Sequence, residues 1–69
     1  MNTPMNLLVN GEQTSLADVA TVSDLISALS IGGNVAVEIN SEIVSRSAFA
    51  SHRLADGDEI EIVTAIGGG

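Results

Sequence analysis

Val22, Leu25, Ile26 and Leu29 fall at i, i+3, i+4 and i+7, the spacing that lines side chains up on one face of an α-helix. Thr21 stands where an N-cap is needed, and Asp24, three positions on, serves as the acid of a short capping box. Asp24 also suits the positive end of the helix dipole. Gly32-Gly33 is expected to close the helix, because glycine enters the left-handed cap without a Cβ penalty. A helix of about two to three turns is marginal in isolation, so burial of this stripe against a sheet must supply most of its stability.

The flanking segments carry the other period. Met5, Leu7 and Val9 alternate with Asn6, Leu8 and Asn10, a half-buried strand in which Leu8 is the apolar exception on the polar side. Asn10-Gly11 is the strongest short hairpin signal, because both residues tolerate positive φ. A short strand returns through Gln13 to Leu16, and its thin apolar content predicts an edge. After the helix, Val35, Val37 and Ile39 alternate with Ala36 and Glu38, and Asn40-Ser41 turns them into Glu42-Ile43-Val44. No period persists from Ser45 to Ala55, which predicts an irregular connection with one helical turn around Ser47 to Ala50, pinned by Phe49 and Leu54. Asp56-Gly57-Asp58 is a turn by composition, and Glu59 to Thr64 is a strand with Ile60 and Ile62 inward and Glu59, Glu61 and Val63 outward. Two hairpins, one helix and a last strand predict an α+β domain with a mixed sheet of about five strands. The expected division is a domain over 1–64 and a flexible tail over 65–69.

Sixty-nine residues are enough for one core, and with Phe49 as the one aromatic side chain that core must be aliphatic. Without cysteine there is no disulfide or thiolate metal site, and the cytoplasm is the natural compartment. A formal net charge of −7, with Arg46 and Arg53 the only Lys or Arg, repels phosphate backbones and anionic lipid. Nucleic-acid and membrane roles are therefore not expected, and basic protein partners are. Nor does the start of the chain read as a signal peptide or a spanning helix.

A catalytic centre is hard to assemble from these residues. His52 is the single histidine, beside Arg53 in a polar stretch, and cannot complete a triad or a zinc site. The serines lack a base at recognisable spacing and suit caps and turns. Asp56, Asp58 and Glu59 lack the ligand ladder of a calcium loop. Gly32-Gly33 lacks the lysine of a phosphate loop. The chain therefore reads as a substrate for other enzymes, with no resident cofactor.

The stretch that would be acted on is Ala65-Ile66-Gly67-Gly68-Gly69. A terminal carboxylate on glycines has no Cβ beside it, so the backbone can enter a narrow channel and the acyl carbon is open to attack. Ordering such a tail costs roughly 1–2 kcal/mol per residue, which contacts with the receiving protein must offset. An ionised carboxylate is a poor electrophile, so chemistry there requires activation, and adenylylation by ATP is the expected route. The bland alternative is a frayed chain end.

At this point the sequence resembles the ThiS family, the ubiquitin-like β-grasp sulfur carriers of thiamine biosynthesis. The resemblance rests on Asn10-Gly11-Glu12, on Thr21-Val22-Ser23-Asp24-Leu25, and on Asn40-Ser41-Glu42-Ile43-Val44-Ser45-Arg46. Its most specific part runs from Leu54-Ala55-Asp56-Gly57-Asp58 through Gly68-Gly69. Ser45 departs from the proline that precedes the arginine in many relatives. The resemblance implies that a ThiF-type, E1-like enzyme uses ATP and magnesium to adenylate Gly69. Sulfur drawn from cysteine through a desulfurase then displaces AMP, and the thiocarboxylate is delivered to thiazole synthase of the ThiG type. Gly67 and Gly68 would present the tail.

Docking needs a surface as well. Strand pleating predicts Leu8, Ala36 and Val63 on the outer sheet face, a small apolar patch ringed by Glu38, Glu59 and Glu61, with Ile66 beside it in the tail. The patch is expected to meet the adenylating enzyme while the carboxylates steer toward basic residues. Two rivals share the outline. A molybdopterin-synthase small subunit would pass its sulfur to a different synthase, and a ubiquitin-like modifier would form amide-linked adducts with lysines.

Overall fold

The computed structural model describes residues 4–64. In order it contains strands β1 (Met5–Val9) and β2 (Glu12–Leu16), helix α1 (Val22–Ala28), strands β3 (Val35–Ile39) and β4 (Glu42–Val44), a 3-10 turn at Arg46–Ala48, and strand β5 (Glu59–Thr64). The strands form one sheet of order β2-β1-β5-β3-β4, so β2 lies at an edge as its composition predicts and the last strand runs through the middle. β5 is parallel to β1 and antiparallel to β3, and both hairpins are antiparallel.

Thr21 caps α1 as expected. Its Oγ1 accepts from Asp24 N–H at 3.3 Å, and Asp24 Oδ2 accepts from Thr21 N–H at 3.1 Å and from Ala20 N–H at 2.9 Å. Of the stripe, Val22 and Leu25 are completely buried, and Ile26 and Leu29 pack half-buried against the core. Burying each of the first two is worth roughly 1.5–3 kcal/mol.

At about two turns the helix is at the short end of its expected length, and it ends differently. It stops at Ala28, and Ser30, not Gly32 or Gly33, takes the left-handed cap at φ 56°. Ile31 N–H donates to Ile26 C=O and Ser30 N–H to Ser27 C=O, each at 3.1 Å, the paired bonds of a Schellman motif. The cap closes ahead of the glycines because Ile31, directly after Ser30, can pack on the core as the apolar partner of that motif.

The irregular connection is zipped to the start of the helix. Ser23 N–H donates to Phe49 C=O, Val22 N–H to His52 C=O, and Leu54 N–H to Ala20 C=O. Leu54 is buried and Phe49 half-buried, the two pins the sequence predicts. Ser45 holds φ −69°, an angle that a proline at this position would also adopt. The core is aliphatic throughout, from Leu7 and Val9 to Ile60 and Ile62, and among the described residues no polar side chain is buried.

Candidate functional site: the outer face of the sheet

Helix α1 covers one face of the sheet and leaves the other open. Register decides what that open face displays. Ala36 pairs with Val63, Glu38 with Glu61, and Ile43 on β4 with Glu38, while Leu8 sits opposite Glu59 across the parallel pair. All six expected outer positions lie on this face: Ala36, Glu38, Glu59, Glu61 and Val63 are exposed and Leu8 is half-buried.

Their arrangement differs from a patch with a ring around it. Leu8 is level with Glu59 and Val63 lies four residues further along β5, so the two are about 13 Å apart at about 3.3 Å per residue. Carboxylates therefore occupy the middle and apolar side chains the margins. Val63 is 64% exposed beside Ala36, and Leu8 joins Gly11, Glu59, Ile60 and Glu61 around a shallow depression of about 290 Å³. Ile43, 80% exposed next to Glu38, is an apolar member of this face that alternation alone does not assign, because a strand of three residues is too short to show a period.

β5 gains its central place from the turn before it. Gly57 adopts φ 90° and its N–H donates to Asn6 C=O at 2.7 Å. Asp56 Oδ1 accepts from Asn6 N–H, and Asp58 Oδ2 accepts from Ala55 N–H. These carboxylates are spent on hydrogen bonds within the fold, Asp58 Oδ1 also accepting from Asn40 Nδ2, and among the described residues no group of His, Asp and Glu is placed to hold a metal ion. His52 is half-buried and lines a second open depression with Glu42, Ile43, Val44, Ser45 and Ala48, so Ile43 borders both that depression and the outer face. The tail residues Ile66, Gly67, Gly68 and Gly69, and the 65–69 boundary, lie outside the described residues.

The Asp24 carboxyl is held below the usual carboxylate range, chiefly by the Ala20 N–H and then by the Thr21 N–H, with help from the Arg53 charge. This group fastens the helix start and has no part in the outer face.

A mixed five-stranded sheet with one helix across one face and the last strand at its centre defines the ubiquitin-like β-grasp class. Within that class the chain belongs to the ThiS family of sulfur carriers, whose family model matches residues 4–69. It is similar to the thiamine biosynthesis protein ThiS of Geobacter metallireducens, whose crystal structure superposes with a TM-score of 0.80 at 38% identity over 94% of this chain and 100% of that one. It is also 44% identical over 66 residues to a thiazole synthase of Paramagnetospirillum magneticum, matching 94% of this chain and 20% of that protein. The chain thus spans about a fifth of that relative. The uncharacterized protein ycf40 of Porphyra purpurea is 30% identical over 100% of this chain and 99% of its own length. No helix among the described residues is long and apolar enough to cross a membrane.

Proposed function

We propose that this chain carries sulfur for the thiazole moiety of thiamine, as a protein substrate with no catalytic constellation of its own. The observation that carries this reading is the ThiS family match over residues 4–69, and the stretch shared with a protein named thiazole synthase supports it. In this reading a ThiF-type enzyme, using ATP and magnesium, joins AMP to the Gly69 carboxylate and releases pyrophosphate. The outer sulfur of a persulfide, derived from cysteine through a desulfurase, attacks the acyl carbon and AMP leaves, and a thiol reductant then cleaves the S–S bond of the acyl disulfide so formed. The resulting thiocarboxylate gives its sulfur to a ThiG-type synthase, with the cytoplasm as the site of action. Gly67 and Gly68 leave the path to the acyl carbon unobstructed. The outer face, with Leu8, Val63, Glu38, Glu59 and Glu61, and Ile66 in the tail, docks on the adenylating enzyme.

Intact-mass spectrometry after incubation with ATP, a ThiF-type enzyme and a sulfur source tests the reading. One oxygen should be replaced by one sulfur at Gly69, and deletion of Gly69 should abolish the change. A full-length chain that gains no sulfur, or amide-linked adducts in its place, would overturn it.

A further inference from the structure

Glu38 and Glu61 face each other directly across β3 and β5, both exposed. Opposed residues in such a pair hold their Cβ atoms about 5 Å apart, and like charges there disfavour the fold. The chain has two residues of the Lys and Arg type, and both are committed elsewhere. The Arg46 guanidinium donates to Asn34 Oδ1, ahead of β3. The Arg53 backbone pairs with that of Thr21, and its charge acts on Asp24 at the helix start. A repulsive pair thus stands in the middle of the open face, with Ile43 on the Glu38 side and Val63 one row along from Glu61. A sheet chosen for stability alone would place an opposite charge or a β-branched residue at one of these positions.

We infer that the outer face grips its protein partner by taking one guanidinium between Glu38 and Glu61, with Ile43 and Val63 seated on aliphatic surface to either side. The inference rests on the carrier reading above and specifies how that docking is made. The planar fork of arginine can meet one carboxylate on each side, which an ammonium does with less geometric definition. Apolar contact at the margins excludes water and strengthens the charged contact at the centre. Binding then removes a repulsion that the free domain carries. Weakened binding should consequently appear together with a fold that is no less stable.

The test measures binding of the full chain to the ThiF-type adenylating enzyme at two salt concentrations, alongside thermal melting of each variant. The double variant Glu38→Gln with Glu61→Gln should lose about tenfold or more in affinity, show a flatter salt dependence, and melt at the same temperature or higher. Glu61→Lys converts the like pair to an opposite pair, so it should melt higher and bind more weakly. Ile43→Asp should also weaken binding. If the Gln pair binds within about twofold of the unaltered chain, or loses affinity only in step with its melting temperature, the inference is overturned. Should that happen while the unaltered chain still acquires sulfur in the mass assay, the carrier reading stands without this grip. An unaltered chain that neither binds nor acquires sulfur removes both.

Discussion

The two hairpin turns flank β5 and solve the same problem with different residues. Asn10 and Asn40 both sit in the left-handed region, at φ 50° and 51°, and each donates its backbone N–H to a β5 carbonyl at 2.8 Å, Ile60 for the first and Glu59 for the second. At positive φ the main chain swings away from the ladder, so each side-chain Oδ1 stands in for a carbonyl and accepts from β5: from Ile62 N–H at 2.8 Å and from Glu59 N–H at 3.0 Å. The difference lies in the amide nitrogen. Asn10 Nδ2 donates to Ile62 C=O at 3.2 Å, so its side chain mimics a complete further peptide of β1, whereas Asn40 Nδ2 goes to the Asp58 carboxylate at 3.0 Å. One turn lengthens the sheet, and the other ties down the loop that feeds it. Gly11 follows the first asparagine at φ 81° and Ser41 the second at φ 72°, so the second turn also carries a conformation that disfavours its own residue.

This difference makes the asparagines unequal. Asn10→Ala strands both the N–H and the C=O of Ile62 in a part-buried position and should cost about 2–3 kcal/mol in urea unfolding. Asn40→Ala leaves exposed groups that water can satisfy and should cost about 1 kcal/mol. Equal losses would erase the distinction between an extended ladder and a tied loop. Exchanging the second residues gives a smaller effect of opposite signs. Gly11→Ser should destabilise and Ser41→Gly stabilise, each by about 1 kcal/mol, read as shifts in urea midpoint at constant slope. No Cβ clash contributes at Gly11, where a built Cβ meets nothing within 4 Å, so backbone conformation alone sets the cost.

The smallest effect separates the turns from the rest of the fold. The lowered pKa of Asp24 means that its contribution to stability is present above the unfolded carboxylate range and is lost as pH falls through the folded value. Asp24→Asn should therefore flatten the acid side of the stability profile, measured by urea unfolding across pH. The ratio of the two asparagine effects should not change, because Asp24 bonds to Ala20 and Thr21 and to neither turn.

Much of this was legible in the residues because it is local. Asn10-Gly11, the Thr21 and Asp24 cap, and the alternation of Ile60 and Ile62 each declare themselves within a few positions, and each is found as read. The helix end was not legible, since a serine in the left-handed cap is disfavoured and only the bonds of Ser30 and Ile31 reveal it. Alternation also says which face a side chain takes without saying which row. Leu8 and Val63 share a face yet lie apart, because their rows depend on how β1, β5 and β3 register across long stretches of chain. Val19, buried in the short link between β2 and α1, was invisible for a different reason: so brief a segment shows no period.

Because β5 joins two hairpins that do not otherwise touch within the sheet, its position has a consequence during synthesis. Until Glu59 to Thr64 clears the ribosome, the sheet exists as two separate hairpins, linked only through the helix start and the connection zipped to it. A chain cut short before that strand has an unfinished sheet, and such a fragment is open to proteolysis.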